Sequence, residues 1–294
     1  MAARVQLFAL LLGLLPAAVA LGAPQVALIG DEERVFVIAE AAAGEQTAIR
    51  REHGIDALDA VNAGVALSSP VPGISVTALA NLLQVSDIAL IVVDSTVGPT
   101  PLIREHILIA RQARIPMLAL LMTNVQRLYA RAGEESAALL ELEIQELRAL
   151  LSTYDLHGDS VGVYYDAPVP EPVAGAGAFG IRESLRVLAK FLPRRVRSGE
   201  PAPVREIWSA VYLLTDLETN GHAVNLGPRD SIVLWSEGTQ SQATLDSVSE
   251  YHPGDFREMK LALETPIDAM QGSRILLVRG ERVVGLGAIT EIKR

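Results

Sequence analysis

Short apolar runs alternate with stretches of helical spacing over the first part of the chain, and residues 86–116 show the pattern most clearly. Residues 88–93 read IALIVV. An unbroken run of this kind suits a parallel strand buried on both faces. A turn follows over 94–98, and Pro101 suits the first turn of a helix. Ile103, Ile107 and Ala110 then recur with charges between them, which is helical spacing. Ile115 and Pro116 end the helix and lead into a second apolar run, 117–121. The segment predicts strand, helix, strand: one βαβ unit.

The same reading predicts further strands at 25–29, 60–67 and 161–165. It predicts helices at 36–43, 76–84, 134–151 and 181–191. The apolar face of the long helix is expected to carry Leu139, Leu140, Ile144, Leu147, Ala149 and Leu151. Residues 44–51 read as a polar connector and 168–177 as a Pro/Ala/Gly loop. From residue 205 the pattern changes to short alternating runs at 207–213, 230–235, 242–248, 257–264, 274–279 and 283–292. Turn signals separate them, which predicts a small β-barrel. Between the two parts, 193–204 is a linker with three prolines (Pro193, Pro201, Pro203) and a basic cluster, Arg194, Arg195 and Arg197, read as a solvated run.

Residues 1–23 stand apart. Arg4 precedes an apolar run over 5–15, then Pro16, then Ala18-Val19-Ala20 in the A-x-A form of a signal-peptidase site. This is the layout of a secretory signal peptide and predicts a secreted or periplasmic protein. An uncleaved leader, the one route to a membrane, and an organellar or cytoplasmic location are the alternatives.

Composition narrows the chemistry. The 294 residues suffice for one or two domains with their own cores. Half are hydrophobic but only 4% are aromatic, so the cores are expected to be aliphatic. A net charge of −10 argues against a general electrostatic nucleic-acid binder. The absence of cysteine excludes a disulfide framework, a thiolate metal site and a Cys nucleophile. Five histidines, at 53, 106, 157, 222 and 252, lack metal-ligand spacing. His106 is expected at the surface. There is no G-x-S-x-G elbow and no paired-carboxylate signal.

Gly98-Pro99, Arg104-Glu105-His106-Ile107 and Ala110-Arg111-Gln112 occur in this order around the predicted helix. Near the C-terminus come Ala210-Val211-Tyr212-Leu213, His252-Pro253-Gly254-Asp255, a Pro266 to Arg274 segment and an Arg282 to Ile292 segment. Together they resemble translational GTPases of the elongation factor Tu type. The resemblance implies an α/β domain of the P-loop-NTPase-like (Rossmann-like) kind at 24–192. It implies a second, all-β domain at 205–294, like that family's C-terminal barrel. The family's middle barrel has no counterpart.

Where the family handles nucleotide, this chain departs from it. Counting from Gly30, the phosphate-loop positions for the second glycine, the lysine and the hydroxyl hold Val35, Phe36 and Val37. Asp31, Glu32 and Glu33 place negative charge where phosphates would sit. In the first switch the Mg²⁺-binding threonine position is Asp56. In the second, Gly73 matches, but the aspartate position is Pro70 and the histidine position is Ile74, neither with a hydrogen-bonding side chain. The base-reading motif falls on Thr123, Asn124, Val125 and Gln126, and the base-closing loop near Asp166-Ala167-Pro168. The resemblance therefore implies no catalytic residue, no metal, no cofactor and no GTP or GDP. It matches His222 and Arg229 to RNA-contacting positions of the family's barrel. Loss of the middle barrel weakens tRNA or the ribosome as a partner and favours a protein. The expected function is an elongation factor Tu-like pseudo-GTPase that binds a protein or RNA without hydrolysing GTP. Two alternatives stand beside it: a divergent GTP-binding elongation factor using Asp56 or Asn124, and an exported interaction protein derived from that family.

Overall fold

The computed structural model describes residues 22–170, 172, 176–191 and 201–293. Nearly all of the leader-like segment and the arginine cluster at 194–197 lie outside the described residues. The chain divides into two compact units. The first takes in the described residues up to Ile74, Val85–Ile103 and residues 116–191; the second takes in Ser75–Gln84, Arg104–Ile115 and the described residues from 201 onward.

The first unit is built on an eight-stranded sheet. Its strands are β1 (Gln25–Gly30), β2 (Arg50–Glu52), β3 (Ile55–Ala60), β4 (Val65–Pro70), β5 (Ile88–Asp94), β6 (Met117–Thr123), β7 (Gly162–Tyr165) and β8 (Ala176–Phe179). They lie in the order β2-β3-β4-β1-β5-β6-β7-β8. From β4 to β8 all pairings are parallel, while β2 and β3 form an antiparallel hairpin added at one edge. Every residue of β1 and β5 is buried, as the centre of a two-sided sheet requires. The helices of the chain up to residue 191 are α1 (Arg34–Glu45), α2 (Val76–Val85), α3 (Pro101–Gln112), α4 (Val125–Ala132), α5 (Ser136–Thr153) and α6 (Ile181–Leu188), of which α2 and most of α3 fall in the second unit. Val37 and Ile38 of α1 and Leu185 and Leu188 of α6 pack with Leu28, Leu67 and Leu90 in one aliphatic core.

Four local expectations change. The predicted strand at 60–67 is the bend of a hairpin: β3 ends at Ala60, residues 61–64 turn, and β4 begins at Val65. Apolar residues inside that turn hid it. The connector at 44–51 contains the start of edge strand β2, whose three residues are exposed and held by backbone pairing that composition does not signal. Strand β8 begins within the predicted loop at 168–177. On α5 the buried stripe is Leu140, Ile144, Leu147 and Leu151; Leu139 and Ala149 face solvent.

In the second unit six strands close into an antiparallel barrel. They are β9 (Ala202–Leu213), β10 (Ser231–Ser236), β11 (Thr239–Leu245), β12 (Phe256–Ala269), β13 (Arg274–Arg279) and β14 (Arg282–Lys293), in the order β10-β11-β12-β9-β14-β13. The six predicted runs fall on these six strands. Ile207, Val211, Leu234, Leu261, Ile275 and Leu277 fill the interior. Closure leaves the barrel no free edge.

Within this second unit the residues of the Arg104 to Gln112 motif are anchoring groups. Gln112 is buried and its Nε2 donates to the carbonyls of Ile275 (2.8 Å) and Gly287 (3.2 Å). Glu105 Oε1 accepts from Val283 N–H at 3.2 Å, and Arg104 Nη1 donates to the Leu217 carbonyl at 2.7 Å. Trp235 Nε1 donates to Asn81 Oδ1 at 2.6 Å. His106, expected at the surface, is buried at 6% exposure. The charges on either side of it in sequence point its helix outward, but those charges are themselves spent on contacts.

Candidate functional site

In an open parallel sheet, ligands bind beyond the carboxyl ends of the strands. In the first unit those ends are Gly30, Pro70, Asp94 and Thr123. Gly30 has φ +95°, and a Cβ there would lie 2.3 Å from the Val92 carbonyl oxygen. Only glycine fits so tight an exit from β1.

The chain after Gly30 does not wrap around an open space. Helix α1 starts at Arg34, so Val35, Phe36 and Val37 lie within its first turn. The backbone N–H groups that would greet an anion are already used. Arg34 N–H donates to Asp31 O, Val35 N–H to Glu32 O, and both Phe36 and Val37 N–H to Glu33 O, at 2.9–3.2 Å. A helix N-terminus attracts anions through unsatisfied donors, and here the tight turn over 31–33 consumes them. Phe36 projects into solvent at 72% exposure and Val37 is buried.

Arg34 occupies the centre. Only 3% exposed, it donates from Nε to the Pro70 carbonyl (3.0 Å) and from Nη1 to the carbonyls of Gly30 (3.0 Å) and Asp31 (2.9 Å). Its guanidinium thus ties the end of β1 to the end of β4. Burial lowers its pKa, against the pull of Glu32, Asp31 and Glu33. Sequence reading missed Arg34. One signal was available: a cation in the first turn of a helix opposes the helix dipole and needs another reason to be there.

Around it sit carboxylates. Asp31 is buried, accepting from Asp94 N–H (3.0 Å) and Thr100 Oγ1 (2.7 Å). Burial raises its pKa. Glu33 is raised too, chiefly by burial and further by the negative charges of Asp94 and Asp31. A pocket lined this way repels phosphate. Among the described residues no group of three or more acidic or histidine side chains is arranged to hold a metal ion.

Several of the remaining positions are committed as well. Asp56 is buried on β3 and takes both arms of Arg51 from β2, Nε to Oδ1 at 2.6 Å and Nη2 to Oδ2 at 2.8 Å. This bidentate pair occupies both oxygens of the carboxylate. Pro70 closes β4 and offers only its carbonyl, which Arg34 takes. Gly73 has φ +78° in the turn before α2, and Ile74 N–H donates to the Val71 carbonyl. Thr123 Oγ1 donates to the Val93 carbonyl at 3.0 Å. Asn124 sits at φ 57° as the residue before α4, and its N–H donates to Asp166 Oδ2 at 2.6 Å. Gln126 is exposed on α4.

Beside these groups lies a cleft of about 290 Å³ whose polar lining is Glu33, Glu40, Thr123, Asn124, Arg127 and Asp166. Burial raises the pKa of Asp166, while the Asn124, Val125 and Ala167 N–H groups act against it. Three carboxylates face one guanidinium, so the cleft is acidic. The structure brings together Gly30, Val35, Phe36, Val37, Pro70, Thr123 and Asn124 near the strand ends: Arg34 takes the Gly30 and Pro70 carbonyls, while Phe36, Val37, Thr123 and Asn124 line the cleft.

On the barrel, His222 and Arg229 are both exposed in the segment joining β9 to β10. His222 N–H donates to Thr219 Oγ1 and Arg229 N–H to the Leu245 carbonyl. Asp216, Glu218 and Asp230 share that segment, so it forms no cationic patch of the kind phosphate contacts need. No protein-family model matches the chain.

Proposed function

We propose that this chain is an elongation factor Tu-like pseudo-GTPase, a binding module in which a P-loop-type domain has lost nucleotide handling. The observation that carries the reading is Arg34. Its buried guanidinium bonds to the Gly30, Asp31 and Pro70 carbonyls at the very strand ends where a nucleotide's phosphates would sit. The ends of β1 and β4 are held together by a side chain of the protein itself, so no ligand is needed to join them. The consumed N–H groups of α1 and the Arg51–Asp56 pair support the same conclusion.

A protein is the favoured partner over RNA. The chain carries a net charge of −10, and the loop holding His222 and Arg229 holds acidic residues beside them. Electrostatic attraction to a polyanion is therefore weak.

Equilibrium binding of GDP and GTP, with and without Mg²⁺, tests the reading. No binding at high micromolar nucleotide is the expected result. Micromolar or tighter binding that responds to Mg²⁺ would overturn it.

A further inference from the structure

The segment 95–100, which joins β5 to α3, is held by carboxylates. Asp94 Oδ1 accepts from Thr96 N–H and Thr96 Oγ1, both at 2.8 Å. The Asp94 carbonyl accepts from Val97 and Gly98 N–H at 3.0 and 2.9 Å. At the far end Thr100 Oγ1 donates to Asp31 Oδ1. Over the middle of the segment lies a third acid, Glu143 of α5. A Cβ on Gly98 would sit 3.6 Å from Glu143 Oε1. The other oxygen, Oε2, is buried with no hydrogen-bond partner.

A carboxylate oxygen buried without a donor is costly, because ionisation there is not solvated. A neutral carboxyl in the same place is tolerated. The charges acting on Glu143 make ionisation harder still: Asp94 from β5 and Glu146 from its own helix are both negative. Asp94 in turn faces Asp31 and Glu33. Arg34 acts on Asp31 but spends its N–H groups on carbonyls, and no cation among the described residues acts to lower the Glu143 pKa.

We propose that Glu143 is a proton-gated latch: its neutral carboxyl keeps α5 docked on segment 95–100, and its ionisation beside Asp94 releases that segment. Burial and the two neighbouring carboxylates push its pKa up to about 7, which places the release in the neutral range. The latch is independent of whether the chain binds nucleotide.

Hydrogen exchange of the full chain tests this at pH 6 and pH 8, with peptides covering 94–100 and rates corrected for the intrinsic effect of pH. In the native protein the protection of these amides is expected to fall up to about tenfold between the two conditions. Glu143→Gln keeps the shape without the charge and is expected to stay protected at both. Equal protection of the native segment at both pH values overturns the proposal, as does a Glu143→Gln protein that responds to pH like the native one. Asp94→Asn gives an independent check, since it retains Oδ1 for Thr96 and removes one repelling charge. With the Asp94 charge removed Glu143 ionises more easily, so the loss of protection is expected at lower pH than in the native protein; an unchanged or higher midpoint overturns the assignment.

Discussion

Arg34 shows how much one side chain decides here. Its three carbonyl partners lie at or just past the ends of β1 and β4, and truncation removes a side-chain donor from each, although the Asp31 carbonyl keeps the Arg34 N–H. Leaving such groups unpaired costs about 1–3 kcal/mol apiece, with relaxation recovering part. Arg34→Met is expected to lose about 3 kcal/mol or more of stability, read as a lower denaturant midpoint. A midpoint within error of the native protein would show that the carbonyls find other donors. Ser209 is the opposite case. It lies on β9 with no exposure, and its hydroxyl has no hydrogen-bond partner. Alternation puts it among the apolar residues Ile207 and Val211 that fill the barrel. Ser209→Ala removes a buried unpaired hydroxyl and leaves almost no cavity. It is expected to stabilise the protein by about 1 kcal/mol, and a lower midpoint would contradict this. Neither residue stood out in the sequence. Arg34 reads as one more charge in an acidic stretch, and a serine among alternating residues reads as tolerable.

At the scale of elements, α5 carries the clearest pH dependence. Glu143 has an ordinary pKa of 4.5 when the chain is unfolded and about 7 when it is folded. Below about pH 4.5 both states hold the proton and no penalty exists. Between there and about 7 the unfolded chain releases the proton while the folded one keeps it. Stability therefore falls as pH rises through this window and levels off above it. For a half-buried group the loss is expected to be about 1–2 kcal/mol after solvent screening. Asp31, Glu33 and Asp166 are raised as well and act in the same direction. Chemical denaturation at pH 5 and pH 8 measures the change, and Glu143→Gln is expected to flatten its share of it. A Glu143→Gln slope equal to the native one would remove Glu143 from the account. The helices illustrate what pattern reading reaches. The position of α5 was legible from its apolar spacing, but the burial of Glu143 was not, since its depth depends on Gly98 being close enough to touch it.

At the scale of the whole molecule, the proposed absence of nucleotide binding has a thermodynamic test. A ligand that binds only the folded state stabilises it in proportion to the logarithm of its concentration over Kd. Millimolar GTP or GDP with Mg²⁺ is expected to leave the thermal midpoint unchanged, whereas a rise of several degrees would reveal a working site. The sequence by itself determined the broad architecture. Long-range periodicity separates a parallel-type α/β part from six alternating strands, and that periodicity survives any local detail because burial imposes it on every element. That Phe36, Pro70 and Ile74 carry no hydrogen-bonding side chain was also legible, since a side chain without the needed atoms cannot supply them wherever it lies. Tertiary structure alone decided the rest. It turned 60–67 into a hairpin bend, paired Asp56 with Arg51, buried His106 and Gln112, and put Arg34 against the carbonyls of Gly30 and Pro70. These outcomes depend on which backbone groups meet across the fold, and residues such as Arg34 and Pro70 are 36 positions apart. Hydrogen bonding at that separation is a property of assembled strands, set by distances of a few ångströms that no linear pattern encodes.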